Sequence, residues 1–455
     1  MIADRSRLPA AGEAASVRLP AIHKTRLPNG LAVWTVEHRN VPVVCCLLVV
    51  PAGSAQDPPG LDGLASLAGD MLDEGTGDLS ALGVSDRLAR LGAQFETEIG
   101  VDATLVALTT LSHSLARGLA LLADMTVRPR LAAEDFDRVR RLRLHRLTQL
   151  RDLPPFLAER AFARWIYGSH PYGHMPLGAE PTLQRMTVDD VRRYHRRVFV
   201  PDGSTLIVVG DGTHDALAAA VAEAFGGWQA TGDGHVPVDL PEPPDRLPSG
   251  RVALVNRTGA AQSELRIGQV AVARDTPDYH ALLVLNTVLG GQFISRINMN
   301  LRQAKGFTYG ARTVFDFRRH RGPFVFLTSV KSSVTGEALR EAMAEIEAIR
   351  GGRPATPEEV RTAAAALTLG YGRNFETAPQ VAQALSQLAL YGLPDDYFEQ
   401  FVPRVVAVTA PEVLRVAQQH LDPDRMALLV VGDRAVVEPA LAALPYGAPT
   451  ILPAD

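Results

Sequence analysis

The sequence predicts an α+β protein of two homologous domains, each a mostly antiparallel sheet with helices packed on one face, facing each other across a cleft. A run of helix, turn and strand occurs twice, 222 positions apart and without a gap. Each half also begins with strand-like segments and has helical periodicity in its middle. Strands and helices do not alternate strictly, which favours an α+β domain over a doubly wound sheet.

The repeat is clearest near the end of each half. Each copy starts with a threonine followed three residues later by a carboxylate, which is the capping box that begins a helix. Each copy ends in a buried strand closed by Gly-Asp. The copies are residues 186–211 and 408–433, with capping boxes at Thr187 and Asp190 and at Thr409 and Glu412. A match of helix, turn and strand in register indicates one fold written twice.

The repeat divides the chain into two domains, predicted at residues 21–231 and 251–446. Strands are expected near the start of each, at 31–36 and 43–50, and at 251–255 and 263–271. Residues 232–250 contain five prolines among polar residues and predict a stiff linker. Two facing domains leave a cleft between them, which is a natural place for a ligand.

Composition excludes several classes of function. The 455 residues carry a net charge of −4 and show no basic excess, so no nucleic-acid partner is expected. We find no secretory leader and no apolar segment long enough to insert in a membrane. Cys45 and Cys46 are neighbours in an apolar run, which excludes a disulfide framework. A cytoplasmic protein is therefore expected, or a periplasmic one if a leader was removed.

Residues 63–72 read Gly-Leu-Ala-Ser-Leu-Ala-Gly-Asp-Met-Leu and form one apolar-faced helix after a strand. This segment resembles a helix of the pitrilysin/insulinase family of inverted zinc metallopeptidases, which reads Gly-Leu-Ala-His-x-x-Glu-His-Met-Leu. In that family the two histidines bind zinc and the glutamate activates the zinc-bound water. The flanks of the motif match here, and its centre does not.

The resemblance places Ser66 and Asp70 at the two histidine positions and Gly69 at the glutamate position. The family's third ligand is a glutamate on a later helix, and its spacing lands closest to Arg146, beside His145. A serine hydroxyl is a poor zinc ligand, and a cation repels the metal. We therefore expect no metal and no catalytic residue on this chain alone.

A second segment, residues 300–311, resembles the family's Arg-Glu-x-x-Gly-Leu-Ala-Tyr, where the Arg and Tyr serve the peptide bond being cut. Arg302, Gly306 and Tyr309 match in identity and spacing, whereas Gln303 replaces the glutamate. Without the resemblance, an ordinary helix-end arginine and a half-buried strand tyrosine would be the preferred interpretation. With it, a guanidinium and a phenol are suited to hold substrate carbonyls or the tetrahedral oxyanion.

The resemblance implies a non-catalytic, substrate-binding subunit of a two-subunit zinc metallopeptidase of bacterial type, similar to the subunits of mitochondrial processing peptidase. A homologous partner with an intact His-x-x-Glu-His would carry the zinc, and Arg302 and Tyr309 would hold an unstructured peptide substrate. Two alternatives stay open. One is a purely structural subunit resembling respiratory-complex core proteins, and the other is a self-sufficient peptidase with an altered metal site.

Overall fold

The structure is a computed structural model that describes residues 12, 16–230, 240–245, 247 and 250–453. Most of the predicted linker 232–250 therefore lies outside the described residues. Two six-stranded sheets, one in each half of the chain, form the framework. In the described part of the chain, no helix combines the length and the apolar character needed to cross a bilayer.

Among its described residues, the first half contains eight strands and eight α-helices. The strands are β1 His23–Arg26, β2 Ala32–Glu37, β3 Val43–Val50, β4 Gly75–Thr76, β5 Leu79–Ser80, β6 Gln94–Ile99, β7 Thr104–Leu111 and β8 Thr205–Gly210. The helices are α1 Leu64–Asp70, α2 Ala81–Leu91, α3 Leu115–Val127, α4 Ala133–Arg151, α5 Pro154–Tyr167, α6 Glu180–Arg185, α7 Val188–Val198 and α8 His214–Phe225.

The described part of the second half contains six strands and eight α-helices. The strands are β9 Val252–Asn256, β10 Gln262–Val270, β11 Ala311–Phe315, β12 Pro323–Lys331, β13 Ala427–Gly432 and β14 Thr450–Leu452. The helices are α9 Tyr279–Leu289, α10 Arg296–Asn298, α11 Thr335–Glu347, α12 Pro357–Thr368, α13 Ala378–Tyr391, α14 Tyr397–Val406, α15 Ala410–His420 and α16 Arg434–Ala442. Wider helical turns, Met299–Ala304 and Ala348–Gly352, follow α10 and α11.

The two sheets share one strand order. The first runs β1-β2-β8-β3-β7-β6 and the second β14-β9-β13-β10-β12-β11, so the repeated strands β8 and β13 occupy equivalent third positions. All neighbours are antiparallel except β2–β8, β13–β9 and β9–β14. The predicted α+β class with two homologous domains is confirmed. β14 adds an edge strand beyond the predicted end of the second domain at residue 446.

Both predicted capping boxes are formed. The Thr187 hydroxyl accepts from the Asp190 backbone N–H at 3.3 Å, and the Asp190 carboxylate accepts from the Thr187 N–H at 2.8 Å. Thr409 and Glu412 make the same two bonds, at 3.4 and 2.8 Å. Each pair satisfies two amides that a helix start leaves without intrahelical partners. The repeat seen in the sequence is therefore a repeat of structure.

The two halves exchange a helix. α5 of the first half packs on β10 and β13 of the second sheet, and α13 of the second half packs on β3 and β8 of the first. One apolar cluster accordingly joins Cys45 and Leu47 of β3 to Val381 and Leu385 of α13. Burying both faces of each sheet removes more apolar surface from water than a one-sided domain does. The halves therefore share their cores.

Two buried histidines are expected to make the fold acid-sensitive. Burial lowers the pKa of His195, whose Nε2 lies 2.8 Å from the Thr126 carbonyl, to about 4, and burial likewise lowers that of His280 to about 4. In the unfolded chain the pKa is near 6.5. Between pH 6.5 and 4 the unfolded state binds more protons, so the stability present above pH 6.5 is lost as the pH falls toward 4.

We expect His195→Gln, which retains an N–H for the Thr126 carbonyl, to reduce this loss of stability at low pH. The difference in unfolding free energy between pH 7 and pH 4 should shrink by about 2–3 kcal/mol relative to wild type. Urea titrations at several pH values measure it. His145→Gln, on the exposed face of α4, is the matched control and should leave the pH dependence unchanged. An unaltered curve for His195→Gln would exclude His195 as the group responsible.

Candidate functional site

The helix that carries the degenerate motif is anchored at its start. Gly63 adopts a left-handed conformation, φ 99°, immediately before α1. The Asp57 carboxylate accepts hydrogen bonds from the N–H groups of Gly63 and Ala65, both at 2.7 Å, and lies 3.2 Å from Nε2 of His174. A carboxylate at a helix start satisfies free amides and complements the helix dipole. His174 therefore stabilises a loop and a helix start.

An arginine reaches the degenerate motif from α4. The Arg143 guanidinium donates to the Asp70 carboxylate and, at 3.2 Å, to the Ser66 carbonyl. The Arg143 side chain is only 8% exposed, whereas that of Asp70 is 47% exposed. A buried cation thus pairs with Asp70, the one carboxylate of the segment 63–72.

The α4 residue that contacts the degenerate motif is Arg143, nearly one helical turn before Arg146, which the sequence places nearest the third-ligand position. Arg146 and His145 are exposed on α4, and the buried residues of that helix include Phe136, Val139, Arg143 and Leu147. These four are spaced three or four apart and so share one face. The helix phase, rather than a count along the chain, decides which side chain meets α1. Arg143 was therefore detectable from its place on the apolar stripe.

Gly69 is closely packed. A Cβ atom at this position would lie 2.5 Å from Cδ1 of Ile99 and 3.2 Å from Cγ2 of Thr97, both on β6. A glutamate here, as in the family motif, requires Ile99 to move. The glycine therefore serves the packing of α1 on β6.

The residues at the motif do not fit a zinc ion. Ser66 is neutral and buried, Gly69 has no side chain, and the carboxylate of Asp70 is paired with Arg143. Zinc sites use nitrogen, thiolate or carboxylate ligands, at least three of them from the protein. Across the residues that the structure describes, no three His, Cys, Asp or Glu side chains converge as a metal-binding group.

The second predicted segment presents two free donors. α10 continues into the wide turn Met299–Ala304, which contains Arg302, and the helical path ends at Gly306 with φ +66°. The Arg302 guanidinium lies 4.1 Å from the centre of the Phe293 ring. Tyr309 is 93% exposed and lies two residues before β11, so the strand begins later than the sequence suggested. In the described structure neither Arg302 nor Tyr309 has a side-chain hydrogen bond or ion pair.

Phe293, which precedes α10, contacts this segment and was not singled out from the sequence. It is 65% exposed and holds the guanidinium of Arg302 by a cation–π contact. The contact between the ring and the guanidinium depends on the folded turn, so the sequence alone does not reveal it. The ring limits the positions that a long arginine side chain can take.

Tyr309 and Phe293 line a cavity of about 1180 Å³. One wall comes from α5 of the first half, and the other comes from β11, β12 and the Gly290–Phe293 loop of the second half. The Ser66–Asp70 segment does not line this cavity. The two predicted motifs therefore do not meet in one site within this chain. The cavity is the structural counterpart of the cleft predicted between the halves.

Comparison with protein families identifies the fold. Residues 32–174 match the model of the insulinase family, peptidase family M16, and residues 185–367 match the model of the peptidase M16 inactive domain. The chain belongs to peptidase family M16. The insulinase match thus lies in the first half, where the metal motif is degenerate, and the inactive-domain match begins late in the first half and extends into the second.

Individual M16 relatives agree with this assignment. A Streptomyces coelicolor protein called an uncharacterized zinc protease is 24% identical over 413 residues, covering 90% of this chain and 89% of that protein. A Mycobacterium leprae protein with the same description is 26% identical over 370 residues, covering 76% and 82%.

Solved structures share the M16 fold. The crystal structure of a peptidase M16 inactive domain from Pseudomonas fluorescens superposes with a TM-score of 0.83 at 23% identity, covering 91% of this chain and 98% of that one. A protease from Helicobacter pylori superposes with a TM-score of 0.83 at 19% identity, covering 91% and 100%.

Proposed function

We propose that this chain is the non-catalytic, substrate-binding subunit of a heterodimeric zinc metallopeptidase that degrades or processes unstructured peptides. The observation that carries the proposal is a contrast between two sites. At the metal motif, Arg143 pairs with Asp70. In contrast, Tyr309 is a free donor that lines a large cavity, and Arg302 is a free donor that lies against Phe293, which lines the same cavity. A homologous partner with an intact His-x-x-Glu-His supplies the zinc. We place the pair in the cytoplasm.

The proposed role of the two donors follows from their chemistry. A guanidinium and a phenol both donate hydrogen bonds to a peptide carbonyl and, more strongly, to the oxyanion that develops when that carbonyl is attacked. The Phe293 ring holds the guanidinium beforehand, so less conformational freedom is lost when substrate binds. Tyr309 is exposed and meets the substrate without displacing another element.

The proposal is tested by reconstitution. The full chain is mixed with a homologous chain that carries the intact motif, and cleavage of an unstructured peptide is measured for each chain alone and for the mixture. Cleavage only in the mixture supports the proposal. A stable complex whose activity does not depend on Arg302 or Tyr309 would instead favour a purely structural subunit.

We expect the purified chain to retain no stoichiometric zinc. After incubation with an equimolar amount of zinc and gel filtration, metal analysis should find well below one ion per chain, because Arg143 repels a cation at Asp70. The partner with its intact motif, treated identically, is the control and should retain one ion. One zinc per chain, lost on Asp70→Ala, would contradict the proposal and favour a self-sufficient peptidase with an altered site.

A further inference from the structure

We propose that the cavity between α5 and the second sheet binds an apolar segment of the peptide, with at least one large aliphatic or aromatic residue, next to the bond presented at Tyr309. This inference rests on the proposed function and names its substrate class. It concerns residues of α5, β11 and β12 that the two sequence motifs do not include.

The cavity walls are apolar because each element turns one face inward. α5 contributes Phe156, Phe162 and Ile166. The sheet contributes Val314, Val325 and Leu327, which alternate with buried residues along β11 and β12. α5 packs mainly on β10 and β13, so the inner face of β11 and β12 remains uncovered by that helix. Val314 is accordingly 38% exposed, and covering it removes apolar surface from water.

Four of the charged groups that line the cavity are already paired with each other. Arg266 donates to Glu264 at 3.1 Å and to the carbonyls of Leu265 and Pro155. Arg318 donates to the Asp316 carboxylate at 2.7 and 2.8 Å. A charged side chain that enters the cavity would lose its hydration, and groups that are already paired compensate little of that cost.

Two further charges line the cavity and are largely exposed. Glu159 lies on α5, and Arg312 lies on the opposite wall in β11. Their opposite signs give neither an acidic nor a basic segment an advantage. Charge therefore does not select the ligand, and the apolar walls do.

The edge of the second sheet is closed to an added strand next to Tyr309. The N–H of Ala311 donates to the Asn298 side chain at 3.0 Å, and the N–H of Thr313 donates to the Gly290 carbonyl at 3.2 Å. A peptide cannot use these amides for strand pairing. Recognition at this wall therefore depends on side chains that enter the cavity.

The cavity is continuous with the proposed substrate site, because Tyr309 and Phe293 line it directly. A volume of about 1180 Å³ accommodates a segment of several residues rather than one side chain. Both walls belong to one chain, so the binding site exists without the partner. We therefore expect the site to bind a peptide segment rather than a small apolar molecule.

Binding of two blocked peptides to the isolated full chain tests the inference. One is an acetylated and amidated nonapeptide of alanine and serine with phenylalanine at its three central positions, and the other has serine there. We expect the phenylalanine peptide to bind at least about tenfold more tightly by calorimetry or fluorescence anisotropy. Val314→Asp should abolish this preference, whereas Val436→Asp, at a similarly exposed valine on α16, should preserve it.

A second variant tests the cavity independently, in case Val314→Asp does not fold. Ala163→Trp fills the cavity from α5 and should weaken the phenylalanine peptide about tenfold, while Ala219→Trp, on the exposed side of α8, should not. Circular dichroism and the unfolding midpoint establish that each variant is folded.

Equal affinities for the two peptides, no measurable binding to the isolated chain, or full affinity in folded Ala163→Trp would each overturn the inference. The proposed function fails by a different result, namely wild-type turnover of reconstituted Arg302 and Tyr309 variants. A chain that shows no apolar preference and yet requires Arg302 for turnover would refute the cavity assignment alone.

Discussion

We expect Arg302→Ala to lower kcat/KM of the reconstituted enzyme by about 10²-fold while the two chains stay associated. In the proposed function the guanidinium makes its strongest hydrogen bond to the oxyanion, so its loss should raise the barrier more than it weakens substrate binding. Because Arg302 has no ion-pair partner among the described residues, its removal breaks no internal salt bridge. Tyr309→Phe, which deletes only the hydroxyl, is expected to cost about tenfold to 10²-fold.

Steady-state kinetics of the mixture and gel filtration of the complex measure both effects. Arg87→Ala, at an exposed arginine of α2, is the matched control and should leave turnover and association unchanged. Arg302→Lys keeps the charge but not the planar fork, so it should recover only part of the activity. Wild-type turnover in both Arg302→Ala and Tyr309→Phe would remove their assigned role.

We expect Asp70→Ala to lower the free energy of unfolding by about 2–3 kcal/mol, even though no catalytic role is assigned to Asp70. The guanidinium of Arg143 is buried, and without Asp70 it keeps only the Ser66 carbonyl. Removing one partner of a buried ion pair leaves an uncompensated charge, which costs ~3–5 kcal/mol in fully buried cases. We expect less here because Asp70 is half exposed.

A double-mutant cycle separates this effect from simple truncation. Arg143→Met removes the charge but fills a similar volume, so Asp70→Ala in that background should cost under about 1 kcal/mol. Asp86→Ala is the control for an exposed pair, because Asp86 and Arg90 are both largely solvent-exposed, and it should cost under about 0.5 kcal/mol. Additive losses for Asp70 and Arg143 in urea unfolding would refute a coupled pair.

The sequence by itself determined the features that depend on neighbouring residues. The capping boxes at Thr187 and Thr409 join residues three apart, so their pattern is complete in the sequence. The strand Val43–Val50 was predicted with its observed bounds because its apolar run is local. The repeat of helix, turn and strand predicted two homologous sheets, and the changes at Ser66, Gly69 and Asp70 were visible as identities alone.

Only the tertiary structure decided which distant side chains meet. Arg143, not Arg146, reaches Asp70, because the rotation of α4 against α1 sets the contact. The exchange of α5 and α13 was not predicted, since nothing in a helix's own periodicity says which sheet it covers. The contact between the Phe293 ring and the Arg302 guanidinium likewise forms only in the folded chain. Burial of apolar surface is favourable against any partner of suitable shape. Which distant side chains meet is therefore decided by the whole fold rather than by a local sequence pattern.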